Sequence, residues 1–385
     1  MKKIITAVIM ALILSVNAYA GDISSVKATG AVLMDMDSGR VLWGKNEEKP
    51  LAMASTTKIM TAILALENGN KGDMVTVSKR AAAAPKVNIN LTAGEEVSLE
   101  NLLYALMLKS ANDSAIAIAE HIGGTVEGFA YMMNEKAIDI GAYDTVFVTP
   151  NGLDEGEHHS TARDMALIAA YALRNKDFCD IINTPQVSFT SADGKKHYDI
   201  VNKNRLLREY KGAFGVKTGF TGKAGHCFVG AAERDGVRLV SCVLASGWGT
   251  AGKEYKWSDT KTILDYGFEN FKYCTVVDEN TETCGIAVYG SDKKTVKTAV
   301  SGEIKALLSE DEKNGIEIIS VMPEGISAPV KAGQRLGFIR AYKDGFLIGE
   351  CDISAAESAE EKTVKKSMGK LIYKWFKFEG LEKCL

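Results

Sequence analysis

The pattern of secondary-structure signals in the sequence changes near Cys274, and this change constrains the fold more than any other feature. Before it, apolar residues recur at helical spacing in stretches such as 58–67 and 113–122, and strand-like segments begin at Val216. After it, short β-branched runs separated by turns replace the helix signals. The sequence therefore predicts an α/β domain followed by a small all-β domain.

The first twenty residues are typical of a secretory signal peptide. Lys2 and Lys3 precede an apolar run over 4–16, and Ala18-Tyr19-Ala20 has the small-x-small form of a cleavage site. A retained membrane anchor is the alternative, but the run is short for a bilayer span and no second run of ~18 apolar residues follows. We therefore expect export and a mature chain that begins at Gly21.

Composition excludes several classes of function. The chain has 385 residues, of which 46% are hydrophobic and 25% charged, as in ordinary globular proteins. Its 46 basic and 49 acidic residues give a net charge of −3, so nothing indicates a nucleic-acid partner. The five histidines form no HExxH pattern, and we expect neither a metal nor another cofactor. The seven cysteines are scattered, without CxxC, and are expected to be mostly buried thiols rather than a disulfide framework.

Three short motifs lie in order along the α/β part. Ser55 and Lys58 form Ser-x-x-Lys at a predicted helix start, where positions i and i+3 share a face and lysine can reach the serine oxygen. Neutral lysine can accept the proton of a serine nucleophile, provided that burial and nearby positive charge lower its pKa from about 10.4. Ser110-Ala111-Asn112 follows an apolar helix, and Lys217-Thr218-Gly219 opens the first of the later strands.

The ordered triple is specific where its members alone are not. Ser-x-x-Lys also occurs at four other serines, which are Ser24, Ser258, Ser291 and Ser367. Ser55 lies at a predicted helix start and is followed in order by the Ser-x-Asn and Lys-Thr-Gly motifs, a combination found in penicillin-binding proteins and class A β-lactamases.

The chain resembles the D-alanyl-D-alanine carboxypeptidases of the S11 peptidase family, which are low-molecular-weight penicillin-binding proteins. The signal peptide (1–20), the three motifs, the β-rich second domain and a basic tail come in the family's order. The resemblance implies a serine β-lactamase/DD-peptidase-like catalytic domain over 21–273, with an antiparallel sheet flanked by helices on both sides and Lys217 on one edge. It further implies a β-sandwich domain over 274–355, then a linker and an amphipathic anchor helix over 356–385.

The resemblance also implies the chemistry. Ser55 attacks the carbonyl of the penultimate D-alanine, Lys58 accepts its proton, and Ser110 relays the proton toward the leaving amine. The backbone N–H groups of Ser55 and Phe220 form the oxyanion hole. The implied substrate is a peptidoglycan pentapeptide ending in D-Ala-D-Ala, which loses its last residue through an acyl-enzyme, and β-lactams are covalent inhibitors.

Substrate binding is implied for four further residues, which are Asn112, Lys217, Thr218 and Gly219. Lys217 supplies a charge for the terminal carboxylate, and Gly219 lets a substrate strand lie close along the sheet edge. Either Lys203 or Arg205 assists them, and the sequence leaves this choice open. The segment 85–90 replaces one that is often Gly/Ser-rich in relatives and is expected to border the cleft.

Three other functions compete with this one. A DD-endopeptidase acting on cross-links differs only in its substrate, so an assay alone separates the two. A class A β-lactamase needs a glutamate-held water, and neither Glu155 nor Glu157 begins the Glu-x-x-x-Asn pattern of those enzymes. A catalytically silent wall-binding protein would not need Ser55, Lys58 and Lys217 all intact.

The C-terminal segment has the pattern of a basic amphipathic helix. One helical face holds six apolar residues, which are Val364, Met368, Leu371, Ile372, Trp375 and Phe376. Lysines cover much of the rest, a pattern that suits an anionic membrane surface. The alternative is a terminal helix packed on its own protein. We expect the stretch from Val364 to Phe378 to hold the exported protein peripherally on the outer face of the cytoplasmic membrane.

Overall fold

The computed structural model describes residues 22–378, so the predicted signal peptide at 1–20 and Cys384 lie outside the described residues. The strands of this part are β1 Gly30–Asp35, β2 Val41–Lys45, β3 Met74–Thr76, β4 Glu96–Ser98, β5 Gln186–Thr190, β6 His197–Val201, β7 Ala213–Thr221, β8 Gly225–Arg234, β9 Val237–Leu244, β10 Lys272–Val277, β11 Ile286–Tyr289, β12 Thr295–Val296, β13 Thr298–Ser301, β14 Ile304–Leu308, β15 Ile316–Val321, β16 Gly325–Ser327, β17 Arg335–Lys343 and β18 Phe346–Ala355. Its α-helices are α1 Lys58–Asn68, α2 Lys79–Ala82, α3 Leu99–Tyr104, α4 Asn112–Gly123, α5 Val126–Ile140, α6 Ala162–Ala172, α7 Lys176–Asn183, α8 Leu206–Glu209, α9 Gly249–Asn270 and α10 Val364–Phe378.

Local signals in the sequence start several of these helices. Ser98, Thr125 and Thr161 each cap a helix with a side-chain oxygen that accepts a backbone N–H three residues later. The predicted cap at Ser98 is therefore present, but the helix after it is not continuous. It changes to a π-helical turn over Ala105–Lys109 and ends where Ser110 adopts a left-handed φ of 69°.

A five-stranded sheet in the order β2-β1-β9-β8-β7 carries the third motif. Strand β7 lies at the edge and pairs antiparallel with β8, with Lys217 opposite Val229. The turn between β8 and β9 has positive φ at both Asp235 and Gly236, as a two-residue hairpin requires. The edge position predicted for Lys217 is thus found.

Helices cover both faces of this sheet. A Cβ added to Gly219 would lie 3.1 Å from Ser55 N, so this face of β7 meets the turn that precedes α1. Thr218 points to the opposite face. There its cross-strand partner Phe228 contacts Trp257 of α9, with ring centroids 4.7 Å apart. The predicted arrangement of sheet and helices is confirmed.

The described chain divides into two compact units whose boundaries differ from the continuous spans that the sequence suggested. Within the described residues, the first comprises 22–33, Trp43–Ala232 and Val240–Glu269, and the second comprises Met34–Leu42, Glu233–Leu239 and 270–378. The second unit includes two hairpin ends that precede its main segment in the chain, Met34–Leu42 and Glu233–Leu239, because their contacts are made with it. Arg40, for example, is buried and pairs with Glu312 at 2.7 Å. Hydrophobic periodicity carries no signal for such a long-range ion pair.

The second unit is all-β until its terminal helix, as predicted. Its strands form a four-stranded sheet β13-β18-β17-β15, a three-stranded sheet β12-β11-β16 and the pair β10-β14, and β11 runs parallel to β16. Apolar side chains such as Ile286, Val296 and Ile353 fill two clusters between them.

Part of the predicted linker is packed rather than free. Ala359 is buried and forms an isolated bridge with Val330, Glu361 bridges Ser291, and Lys362 N–H donates to Gly290 O at 2.7 Å. The acidic composition of this segment suggested solvation. Its backbone pairing instead places it in the β unit as far as residue 362.

The cysteines differ in part from expectation. No disulfide joins them within residues 22–378. Only Cys227 and Cys242 are buried, however, while Cys284 is exposed and the other described cysteines are half-buried. The expectation of mostly buried thiols is therefore wrong, because Cys274 and Cys351 lie on strands whose side chains at these positions are only half-buried, and Cys284 lies between two strands.

None of the helices within residues 22–378 is both long and apolar enough to cross a bilayer.

Candidate active site

Ser55 lies in a tight 3-10 turn, Ala54–Thr57, that leads directly into α1. Two threonine hydroxyls hold this turn, since Thr56 Oγ1 donates to Met53 O at 2.7 Å and Thr57 Oγ1 donates to Ala54 O at 2.8 Å. Ala54 has a φ of 49°, which side-chain-bearing residues rarely adopt. The serine is therefore presented on a strained and well-bonded turn, with its side chain half-buried.

Lys58 is fully buried, and its amine contacts three oxygens. Its Nζ lies 3.0 Å from Ser55 Oγ and donates to Asn112 Oδ1 at 2.8 Å and to the main-chain carbonyl of Asn151. The first and second sequence motifs are thus brought together as predicted. Within the part of the chain that the structure describes, Ser110 is not a hydrogen-bond partner of Lys58.

The environment of Lys58 favours its neutral form. Burial lowers the pKa of Lys58 well below its usual value, the positive charge of Lys217 lowers it further, and the carboxylate of Asp113 acts in the opposite direction. A neutral amine has two N–H groups and one lone pair. Two carbonyl oxygens, from Asn112 and Asn151, can accept both N–H groups, which leaves the lone pair facing the Ser55 hydroxyl. The arrangement can therefore deprotonate a serine.

The second motif also fixes the segment that borders the site. Asn112 Nδ2 donates to Pro85 O at 3.0 Å, and Asn112 N–H donates to Val87 O at 2.7 Å. The neighbouring Asp113 accepts N–H groups from Ile89 and Leu91. The sequence placed both Ser110 and Asn112 on a loop, but only Ser110 lies in the turn, and Asn112 is the first residue of α4.

Lys217 is buried on β7, where its Nζ donates to Thr218 O at 3.1 Å. Burial lowers the pKa of Lys217 to about 7, with smaller contributions from the charges of Lys203 and Lys256. Arg205 is not among the groups that lower the pKa of Lys217. Its guanidinium is paired with Glu209 and Glu254 instead. Of the two residues left open by the sequence, Lys203 is the one that the fold brings into electrostatic contact with the site.

Gly219 allows the edge strand to approach the serine turn. A Cβ at this position would lie 3.0 Å from Met53 O and 3.1 Å from both Ala54 Cβ and Ser55 N, closer than almost all real contacts of this kind. Phe220 follows on the same strand. The backbone N–H groups of Ser55 and Phe220 therefore belong to two segments that a side chain at position 219 would push apart by a few tenths of an ångström.

Sequence reasoning missed the segment 150–152. Asn151 is buried and supplies the carbonyl that contacts Lys58, and Gly152 has a φ of 82° with no room for a Cβ beside Ala54 O. Pro150-Asn151-Gly152 is a recognisable turn signal. The signal locates a turn but cannot indicate that this turn reaches a lysine 93 positions earlier.

His158 was missed as well. It is buried, and its Nδ1 accepts the backbone N–H of Val148 at 3.0 Å, so its Nε2 carries the proton and donates to Thr57 Oγ1 at 2.9 Å. Thr57 in turn donates to Ala54 O. This relay connects a buried imidazole to the turn that bears Ser55.

Among residues 22–378 no three His, Cys, Asp or Glu side chains form a group that could hold a metal ion.

Comparisons with known proteins agree with this geometry. The peptidase S11 model, D-alanyl-D-alanine carboxypeptidase, matches residues 16–247, and the penicillin-binding protein 5 C-terminal domain model matches residues 271–361. The D-alanyl-D-alanine carboxypeptidase DacF of Bacillus subtilis is 33% identical over 92% of this chain and 91% of its own. DacC of Escherichia coli is 29% identical over 88% of this chain and 85% of its own.

Solved structures of proteins from this family are also similar to this chain. The structure of penicillin binding protein 5 from Haemophilus influenzae superposes with a TM-score of 0.69 at 28% identity, covering 87% of this chain and 98% of that one. The carboxypeptidase DacD from Francisella tularensis gives a TM-score of 0.66 at 27% identity, with 87% and 94% coverage.

Replacing Lys217 is expected to raise the pKa of Lys58. In Lys217→Met the positive charge that disfavours a second cation is gone, while Lys58 stays buried, so its pKa rises but stays below its usual value. Asp113→Asn is the control with the opposite sign, since loss of that carboxylate lowers the pKa of Lys58 further. Heteronuclear NMR titration of the lysine side chain measures both, and equal pKa values in all three proteins would contradict the coupling.

His158 is expected to make folding stability depend on pH between 6.5 and 4. Burial lowers its pKa from 6.5 to about 4, so the unfolded chain binds the proton first as the pH falls. The contribution of neutral His158 to the free energy of unfolding is fully present above pH 6.5. About 3 kcal/mol of this contribution is lost as the pH falls to 4. Urea unfolding at several pH values should show a smaller loss for His158→Gln, which can keep both hydrogen bonds. Parallel pH dependence in the two proteins would contradict the assignment.

Proposed function

The chain belongs to the peptidase S11 family of D-alanyl-D-alanine carboxypeptidases, and we propose from this that it removes the terminal D-alanine from peptidoglycan pentapeptides through a serine acyl-enzyme. The family, the fold and the serine carboxypeptidase activity predicted from the sequence are confirmed. Binding of β-lactams is consistent with this family.

One observation supports the mechanism above all others, which is the position of the Lys58 amine between Ser55 and two carbonyl oxygens. Lys58 takes the proton from Ser55 as Oγ attacks the carbonyl carbon of the penultimate D-alanine. The negative charge that develops on the carbonyl oxygen is stabilised by the N–H groups of Ser55 and Phe220. The C–N bond then breaks, and the proton passes through Ser110 to the amine of the departing D-alanine. Water hydrolyses the remaining ester.

Lys217 is proposed to bind the terminal carboxylate. With a pKa of about 7 it is only partly charged at neutral pH in the free protein. An approaching carboxylate favours the protonated form, so binding draws the proton onto Lys217 at the same time as it places the scissile carbonyl. Lys203 adds positive charge nearby.

The β-lactamase alternative gains no support from the site. Glu155 and Glu157 are exposed, and the oxygen that reaches Lys58 from this part of the chain is the main-chain carbonyl of Asn151. A carbonyl oxygen cannot act as the base that activates a hydrolytic water as a glutamate does.

Export and membrane attachment form the second part of the proposal. The signal-peptide pattern at 1–20 supports export. In α10, the apolar residues Met368, Leu371, Ile372 and Trp375 fall on one face and are 49–68% exposed, while Lys370 lies on the opposite face and pairs with Asp292. An apolar stripe of this kind gains free energy by entering the lipid interface, and flanking lysines are attracted to anionic headgroups. We place the mature protein at the outer face of the cytoplasmic membrane, held peripherally by Val364–Phe378.

Acylation is expected at Ser55 only. Fluorescent penicillin should label the wild-type chain, and Ser55→Ala should remove the label completely because no nucleophile is left beside Lys58. Ser258→Ala is the matched control, since Ser258 also has lysine at the third position but is exposed on α9. Peptide mass mapping that places the label at Ser258 would contradict the assignment.

Carboxypeptidase action is expected to exceed endopeptidase action. Purified protein should release free D-alanine from pentapeptide-containing wall fragments, and mass spectrometry should show that the fragments lose one residue. Ser55→Ala serves as the blank. Cleavage of cross-linked dimers at a higher kcat/KM than pentapeptides would assign the endopeptidase function instead.

Removal of α10 is expected to abolish vesicle binding without loss of catalysis. A chain ending at Lys362 keeps the backbone pairs of Ala359, Glu361 and Lys362. It should cleave a soluble peptide at the wild-type rate but no longer sediment with anionic vesicles, whereas binding of the full chain should weaken with salt. Equal sedimentation of both chains would mean that α10 is an ordinary terminal helix.

A further inference from the structure

Two large aromatic side chains that the proposed reaction does not use lie near the turn after β7. Phe220 on β7 is 51% exposed, and Trp248, just before α9, is 53% exposed. Exposed aromatic groups next to a functional site commonly mark a ligand-binding surface. Both belong to the same compact unit as Ser55.

Trp248 is fixed in place. Its indole N–H donates to Gly222 O at 2.8 Å, and a Cβ on Gly225 would lie 3.0 Å from its Cε2 atom, so the ring lies directly on the β7–β8 turn. Gly225 has a φ of 67°, which also favours glycine there. The ring of Phe220 is supported from behind by buried His226, with ring centroids 4.4 Å apart. Fixed aromatic faces bind ligands with little loss of side-chain entropy.

The proposed function gives the substrate a direction along β7. The terminal carboxylate is bound near Lys217, and the scissile carbonyl meets the N–H of Phe220. The residue that precedes the D-Ala-D-Ala pair must therefore lie beyond Phe220, at Thr221 and Gly222, because each extended residue advances about 3.3 Å along the strand. The indole of Trp248 is bonded at that level.

We propose that Trp248 forms a subsite for the apolar part of the side chain immediately upstream of the D-Ala-D-Ala pair. This rests on the proposed function. An extended peptide added to a sheet edge is recognised through pockets for its side chains, and the aromatic surface supplies one such pocket. Trp248 is thus a specificity-determining residue, which selects an aliphatic or aromatic upstream side chain over none.

Two acetylated peptides that differ only in this side chain test the proposal, acetyl-norleucyl-D-Ala-D-Ala and acetyl-glycyl-D-Ala-D-Ala. Trp248→Ala should lower kcat/KM for the norleucyl peptide by about tenfold and leave the glycyl peptide almost unchanged. Trp248→Phe keeps an aromatic face and should retain most of the preference. Tyr131→Ala, which removes an exposed aromatic from α5, is the matched control and should change neither value.

A second pair of reagents reports acylation without peptide hydrolysis. Benzylpenicillin carries an acyl side chain on the upstream side of its reactive carbonyl, and 6-aminopenicillanic acid lacks it. Trp248→Ala should slow acylation of Ser55 by the first and not by the second. If Trp248→Ala lowers the rate equally for both members of each pair, Trp248 only supports β7. If the rate does not fall for any of them, Trp248 forms no subsite. Either result overturns the proposal. Failure of Ser55 to react with either penicillin would count against the proposed function instead.

Discussion

The buried amine of Lys58 is the constraint on which the rest of the catalytic unit depends. A lysine enclosed by protein is stable only if it loses its proton or finds partners for its N–H groups, because desolvation of an ammonium ion is costly. Here two carbonyl oxygens accept those groups and Ser55 Oγ lies 3.0 Å away. Burial of Lys58 therefore has two effects: it opposes folding with the lysine charged, and it favours the neutral amine, which can act as a base.

The segments around Lys58 are positioned so that they supply hydrogen-bond acceptors for its amine. Gly152 lets the 150–152 turn reach Ala54 O, which brings the Asn151 carbonyl to the lysine. Asp113 holds the segment bordering the site by its backbone N–H groups, and Asn112 contacts both that segment and Lys58. A change at any of these positions would therefore be transmitted to the serine through hydrogen bonds rather than through bulk packing.

Charge is balanced between the two motif lysines. Lys217 helps keep Lys58 neutral, yet burial and neighbouring cations keep the pKa of Lys217 itself near 7. The free site thus avoids two full positive charges in a small, desolvated volume. In the proposed function, a carboxylate-bearing substrate would relieve this conflict, because its own charge would stabilise protonated Lys217 while Lys58 remains neutral.

The sequence by itself determined the order of the domains, the three motifs and the helix at 364–378, since each depends on local periodicity or on short spacing. The edge position of Lys217 came from the resemblance to the S11 family. The tertiary structure alone decided which distant groups meet. The Asn151 carbonyl, the His158–Thr57 relay and the choice of Lys203 over Arg205 all join residues that are far apart in the chain, and no local pattern encodes such contacts. For the same reason the sequence missed the contribution of Met34–Leu42 to the second unit and the packing of Ala359. Periodicity in the sequence indicates which face of a helix or strand is apolar. Only the folded chain determines which residues contact that face and which groups bond to each buried polar atom.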